Sequence, residues 1–321
     1  MFDLKDLYDA QELVAQAIMP TPQICWPLLS ERVGAEVWVK HENHLPTGAF
    51  KVRGGLTYVE RCRRDRPTVK GIICATRGNH GQSLAFAGRR YDLPVTIVAP
   101  LGNSTEKNAA MRALGATLIE HGDDFEAARI EAERLSASDG LEMVPSFHRD
   151  LVVGVATYAL EFFTAAPNLD ALYVPIGLGS GICGCILARN LLGLSTKIVG
   201  VQASGASSYA LSFNAGRIMT TEKADTFADG VATRIPVSAA FEIIRTGVAR
   251  IVTVDDGEIA AAVRAYWTDT HNLAEGAGAV ALAALLREGD QMAGRRIGLV
   301  LSGGNIDLDT FASRVMNGDS R

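Results

Sequence analysis

Cysteine is scarce and unpatterned in this chain. Five occur in 321 residues, Cys25, Cys62, Cys74, Cys183 and Cys185. An odd number with no CxxC pair argues against both a disulfide framework and a zinc site. Cys183 and Cys185 sit in a helix start of small residues and read as buried free thiols. Long apolar runs are missing too: none approaches the ~20 residues a membrane span needs. The opening stretch, MFDLKDLYDAQELVAQAI, is amphipathic and carries Asp and Glu, which fits neither a secretory nor a transit peptide. Positive charge is never massed. Net charge is −5, and the densest basic stretch, RCRRDR at 61–66, is broken by Asp65. It reads as a solvated helix end, so no nucleic-acid partner is expected. No linker rich in Pro, Gly or Ser, no repeat and no low-complexity tract is present. A reducing cytoplasm, with no membrane partner, fits these absences.

What is present is an ordinary globular composition, 48% hydrophobic and 21% charged, at a length that suits one large domain or two closely packed ones. Short β-branched runs alternate with longer alanine-rich stretches. Strands are expected at 36–40, 71–75, 95–99, 116–119, 172–176, 197–202, 251–254 and 297–302. Helices are expected at 82–91, 107–114, 124–136, 151–165, 181–194, 256–272 and 278–288. Strand, helix, strand, repeated, means an α/β fold with parallel sheets covered on both faces, and the strands are near-continuous apolar runs as such burial requires. Two lobes are expected, with glycine turns at strand C-termini, the edge where open α/β sheets bind ligands.

Three segments carry chemistry. After LYVPI come Gly177, Leu178, Gly179, Ser180 and Gly181 and then a helix, a turn whose backbone N–H groups and helix start suit a phosphate. A rival reading takes 179–184 as GxGxxG, the dinucleotide fingerprint of an NAD-dependent oxidoreductase, but that motif wants an acid about 20 residues on, where this chain has Gln202. After GIICA come Thr76, Arg77, Gly78, Asn79 and His80, again at a helix start, a loop able to grip a carboxylate. Between a Pro-Thr-Gly turn and an Arg-Gly-Gly stop lies Lys51, flanked by Phe50 and Val52. It is either a snorkelling surface lysine or a desolvated amine able to form a Schiff base. An imine-forming lysine, a phosphate cup and a carboxylate-gripping loop together are the parts of a pyridoxal-phosphate site for an amino acid.

In this order, PTGAFKVRGG at 46–55, TRGNHGQ at 76–82, GLGSG at 177–181, FADGV at 227–231, EGAGA at 275–279 and SGGN at 302–305 resemble the motifs of the fold-type II pyridoxal-phosphate enzymes, the serine/threonine dehydratase and serine racemase branch. The similarity runs from about residue 15 to 310. It implies a tryptophan synthase β-like fold, with pyridoxal 5′-phosphate held between a large domain (1–45 and 146–321) and a small one (46–145), and a homodimer. It implies that Lys51 holds the cofactor covalently and then serves as base at the substrate α-carbon. Phe50 would pack beside the ring and Asn79 would bond its hydroxyl oxygen. Residues 177–181 would hold the phosphate, with Glu275 and Ser302 completing the cofactor site and Ser302 facing the pyridine nitrogen. Thr76, Arg77, Gly78, Asn79 and His80 would bind the substrate. The reaction implied is removal of water from a β-hydroxy-α-amino acid such as L-threonine or L-serine, giving a 2-oxo acid and ammonia.

Departures from the pattern sharpen the expectation. Arg77 stands where racemases of the branch carry an acid/base serine, and a guanidinium is a poor base. Gln202 and Ser208 replace acidic cation ligands, so no divalent metal is expected. Arg77 would instead meet a group beyond the β-carbon. A dehydratase of hydroxyectoine breakdown, acting on a hydroxy-diaminobutyrate, and one acting on phenylserine are the named alternatives. No C-terminal regulatory domain is expected after residue 310.

Overall fold

A computed structural model describes residues 1–317. Among the described residues ten strands form two sheets: β1 (Gln23–Cys25), β2 (Glu36–His41), β3 (Ile72–Ala75), β4 (Val95–Ala99), β5 (Thr117–Glu120), β6 (Glu142–Met143), β7 (Ala171–Pro175), β8 (Lys197–Ala203), β9 (Val248–Val254) and β10 (Arg296–Leu301). The larger sheet runs β1-β2-β10-β7-β8-β9 and the smaller β5-β4-β3-β6. All pairings are parallel but one: β1 lies antiparallel to β2 at the edge. That edge strand, of three residues, escaped the sequence reading, as did the two-residue β6; both are too short to carry a pattern of their own. Every strand of the smaller sheet falls between residues 72 and 143.

The central strands alternate between two cores, as a period of two demands. In β7, Ala171 and Tyr173 join the core beneath the helices Asp256–Thr270 and Gly276–Arg287. Leu172 and Val174 point to the opposite core, shared with the helices Arg149–Ala165 and Ser180–Leu191. The smaller sheet is likewise covered on both faces, by the helices Lys51–Asp65 and Asn79–Arg90 on one and Phe125–Asp139 on the other.

One expectation is overturned at Arg53-Gly54-Gly55. These residues do not stop the chain; they lie inside the helix Lys51–Asp65. Glycine is used there for close approach. A Cβ on Gly55 would fall 2.3 Å from Ser83 Oγ, and one on Gly54 2.7 Å from the Leu151 carbonyl oxygen. Packing against two neighbouring helices outweighs the roughly 1 kcal/mol per glycine that helix propensity costs. The RCRRDR stretch does end this helix, yet it is not merely solvated: Arg61 pairs with Asp150 at 2.5 Å, and Arg66 pairs with Glu142.

Beneath the helix start lies a buried charge cluster. Arg53 donates to Glu42 at 2.7 Å and to Glu161 at 2.7 Å, and Lys40 donates to Glu161 at 2.5 Å. Thr21 adds a hydroxyl to Glu42 at 2.6 Å. The paired guanidinium and ammonium hold the Glu161 carboxyl below its usual range despite its burial.

Candidate active site

The topology explains why distant motifs meet. Strands β2, β10 and β7 are adjacent and parallel, so their C-terminal ends share one edge. From that edge issue residues 42–51, 302–305 and 177–181. Backbone bonds lace the first two together: Phe50 N donates to the Ser302 carbonyl at 3.0 Å and Gly304 N to the Gly48 carbonyl at 2.9 Å. The third lies alongside, since a Cβ on Gly181 would sit 3.5 Å from Phe50 Cζ. In the smaller sheet, β3 delivers residues 76–79 to the same cleft. There Asn79 Nδ2 donates to Glu275 Oε1 at 2.7 Å, and Asn305 Nδ2 donates to Asn79 Oδ1 at 2.8 Å. Both ends of the Asn79 amide are therefore engaged with protein, with the second Nδ2 hydrogen left uncommitted.

Lys51 is the first residue of its helix, half-buried, with Nζ 4.8 Å from the Phe50 ring centroid. Among the described residues Nζ has no hydrogen-bond partner. Burial lowers this amine to about 8, against the opposing pull of the Glu275 carboxylate. The positive end of the helix acts in the same direction as burial. Desolvation also drops buried His80 to about 3, with Lys51 adding to the effect, so its imidazole is neutral at pH 7. Its Nε2 is buried without a partner. Burial raises Glu275, while Lys107, Asn79 and Lys51 restrain the rise.

Gly179 adopts φ +104°, the left-handed region, whereas Leu178 and Ser180 do not. The glycine therefore sits where the turn needs one. The N–H groups of Gly177, Leu178 and Gly179 find no acceptor among the described residues, and the helix Ser180–Leu191 begins directly behind them. Ser180 and Ser302 are buried, and Ser302 Oγ donates to the Ala277 carbonyl at 3.4 Å. Thr76 Oγ1 accepts from Gly78 N at 3.1 Å, which shapes the loop. Arg77 stands apart: it is exposed, and its guanidinium has no partner among the described residues.

Lys107 was not anticipated. It lines a cavity of about 190 Å3 together with Asp229, Glu275, Asn305 and Arg314. Its side chain is mostly buried and its ammonium lies 3.4 Å from Asp229. The available signal was its place in the first turn of the helix Thr105–Ala113, where a cation opposes the dipole.

The family described as "Pyridoxal-phosphate dependent enzyme" matches residues 14–303. The chain belongs to that family. Among its relatives is the L-threonine ammonia-lyase of Thermotoga maritima, 33% identical over 99% of this chain and 79% of that protein. The L-threo-3-hydroxyaspartate ammonia-lyase of Saccharomyces cerevisiae is 31% identical over 97% of this chain and 95% of its own length. In structure, the processed form of threonine deaminase isoform 2 from Solanum lycopersicum superposes with a TM-score of 0.91 at 29% identity, covering 100% of this chain and 95% of that one.

The residues of this family member fit its cofactor. Three free N–H groups at a helix start suit a phosphate, an amine lowered to about 8 suits an aldehyde, and the orphaned His80 Nε2 leaves a polar partner to be supplied. The dinucleotide reading of 179–184 has no such support. Gln202, at the position where an acid would hold a ribose, is wholly buried and its Oε1 accepts from Ala210 N at 2.9 Å.

Proposed function

We propose that this protein is a dehydratase that removes water from a β-hydroxy-α-amino acid of the L-threonine or L-serine type, yielding a 2-oxo acid and ammonia. The observation that carries the reading is Lys51: an unpartnered amine with depressed basicity beside a turn of free N–H groups and a glycine loop of the smaller sheet. The names of the two relatives point the same way, since L-threonine and L-threo-3-hydroxyaspartate both carry a β-hydroxyl.

Pyridoxal phosphate, when bound, supplies the aldehyde that captures the substrate amine and the ring that draws electrons from the α-carbon. Lys51 would hold that group through Nζ, and the same Nζ would take up the α-proton of the substrate. An amine near pKa 8 serves as a base close to neutral pH better than an ordinary lysine does. The N–H groups of 177–181 would hold the phosphate, with the Ser180 hydroxyl beside them. Phe50 would pack at the ring, Asn79 and Glu275 would serve its hydroxyl side, and Ser302 would offer a neutral hydroxyl to its nitrogen. Thr76, Gly78, Asn79 and His80 bind the substrate carboxylate, and Arg77 reaches a group beyond the β-carbon. We assign residues 1–45 and 146–321 to the cofactor domain and 46–145 to the substrate-loop domain. The five cysteines, all free, suit a reducing cytoplasm, and a homodimer is the proposed assembly.

The test is release of 2-oxo acid and ammonia from a panel: L-serine, L-threonine, L-threo-3-hydroxyaspartate, L-threo-phenylserine and a 3-hydroxylated acetyl-diaminobutyrate. Turnover of one member supports the dehydratase and names its substrate. Release from none of them by protein with cofactor bound overturns the reading.

A further inference from the structure

Two buried tyrosines converge on the glycine turn from different elements. Tyr158, on the helix Arg149–Ala165, donates its hydroxyl to the Gly181 carbonyl at 3.1 Å. Tyr209, on the helix Ser208–Ala215, donates to the Leu178 carbonyl at 3.1 Å. Neither proton is free to turn elsewhere. Tyr209 Oη accepts from Val237 N at 3.0 Å, and Tyr158 Oη accepts from Cys185 Sγ at 3.1 Å. Burial raises both phenols above their ordinary range, so both remain donors throughout the working pH range. Each oxygen also rests against a glycine: a Cβ on Gly181 would lie 3.4 Å from Tyr158 Oη, and one on Gly179 3.4 Å from Tyr209 Oη.

A peptide carbonyl that faces an anion repels it, and a flexible glycine turn can flip its peptides. We propose that Tyr158 and Tyr209 are positioning residues for the phosphate of the cofactor: Tyr209 holds the Leu178 carbonyl of the turn on the protein side and so keeps the Gly179 N–H for the anion, while Tyr158, bonded to the Gly181 carbonyl in the first turn of the helix Ser180–Leu191, fixes the helix start behind it. Tyr158 does more. Its ring packs edge-on against Phe50, centroids 5.9 Å apart, and so ties the turn to the residue before Lys51. The inference rests on the cofactor part of the proposed function and is independent of which substrate is used.

The experiment compares the full chain with Tyr158→Phe and Tyr209→Phe, each freed of cofactor by hydroxylamine treatment followed by dialysis. Equilibrium dialysis measures affinity for pyridoxal 5′-phosphate and for pyridoxal, which lacks the phosphate. Removing one neutral hydrogen bond is expected to weaken pyridoxal phosphate about 5- to 10-fold in each variant. Pyridoxal affinity should change less than 2-fold. Equal losses for both ligands, or no loss for either, overturn the inference. Failure of the unaltered chain to bind pyridoxal phosphate overturns the cofactor reading itself. Amide hydrogen exchange over residues 176–184 of the cofactor-free protein gives a second readout: faster exchange in the variants is expected, and unchanged exchange counts against the pinned turn. The two tyrosines lie on separate helices, so either variant alone decides the matter if the other fails to fold.

Discussion

Lys51 should lose its proton at about 8 rather than at the ordinary 10.5. At pH 7 an ordinary lysine is neutral in roughly 0.03% of molecules; at pKa 8 the neutral fraction is about 9%, a gain of about 300-fold in reactive amine. Competitive acetylation of the cofactor-free protein, followed by mass spectrometry of the Lys51 peptide against pH, measures this directly. A midpoint near 8 is expected, and Glu275→Gln should move it lower, because the carboxylate is the group holding the ammonium up. His80, already neutral, does not titrate in that window. The same shift has a stability counterpart. Between about 8 and 10.5 the unfolded chain keeps the Lys51 proton and the folded chain does not, so this group's contribution to stability rises with pH through that window. Below it, the folded state carries a poorly solvated charge. Lys51→Met is therefore expected to be more stable than the unaltered chain at pH 7. The ceiling is about 3.4 kcal/mol from 2.5 pK units, reduced to about 2 kcal/mol because the residue keeps part of its surface in contact with solvent. The difference should vanish towards pH 10.5. A labelling midpoint near 10, or a stability difference independent of pH, would refute the reasoning.

Arg53→Met leaves Glu42 and Glu161 buried without their guanidinium and should cost about 3–5 kcal/mol in urea unfolding; a loss below about 1 kcal/mol would show the cluster is not structural. Arg77→Ala should reduce kcat/KM on the preferred substrate about 10-fold more than on L-serine, a charge-assisted contact being worth roughly that much. Equal losses on both would make Arg77 a loop residue only. Chelation with EDTA should leave activity intact, since Gln202 and Ser208 are committed to Ala210 N and the Thr233 carbonyl; inhibition reversed by magnesium would contradict this.

The elements that were legible in the sequence are those whose pattern is local. Parallel strands such as β4 and β10 announce themselves as apolar runs, and the glycine turns after β3 and β7 break those runs at the ligand edge. What escaped depends on partners far along the chain. The Gly54-Gly55 pair reads as a stop only while the helices at 79–90 and 149–165 are out of sight. Tyr158 and Tyr209 look like two core aromatics, and nothing within either helix says that both hydroxyls end on one turn. The Arg53 cluster gathers residues from positions 21 to 161 by the same long-range route.

Lys107 marks the boundary between these two kinds of information. Its chemistry is long-range, set by Glu275 and Asp229 across the cleft, which together hold the ammonium above its usual value. Its anomaly is local: a cation in a helix's first turn, against the dipole. Lys51 shares that anomaly and differs in outcome, because burial outweighs its one carboxylate neighbour and lowers the amine to about 8. The dipole penalty is thus common to both lysines, and the count of nearby carboxylates separates the amine held above its usual value from the one lowered to about 8. Lys107, held charged beside Glu275, also keeps that carboxylate from rising as far as its burial alone would take it. The lysine that the sequence did not single out therefore helps set the charge of the group that tunes the lysine it did.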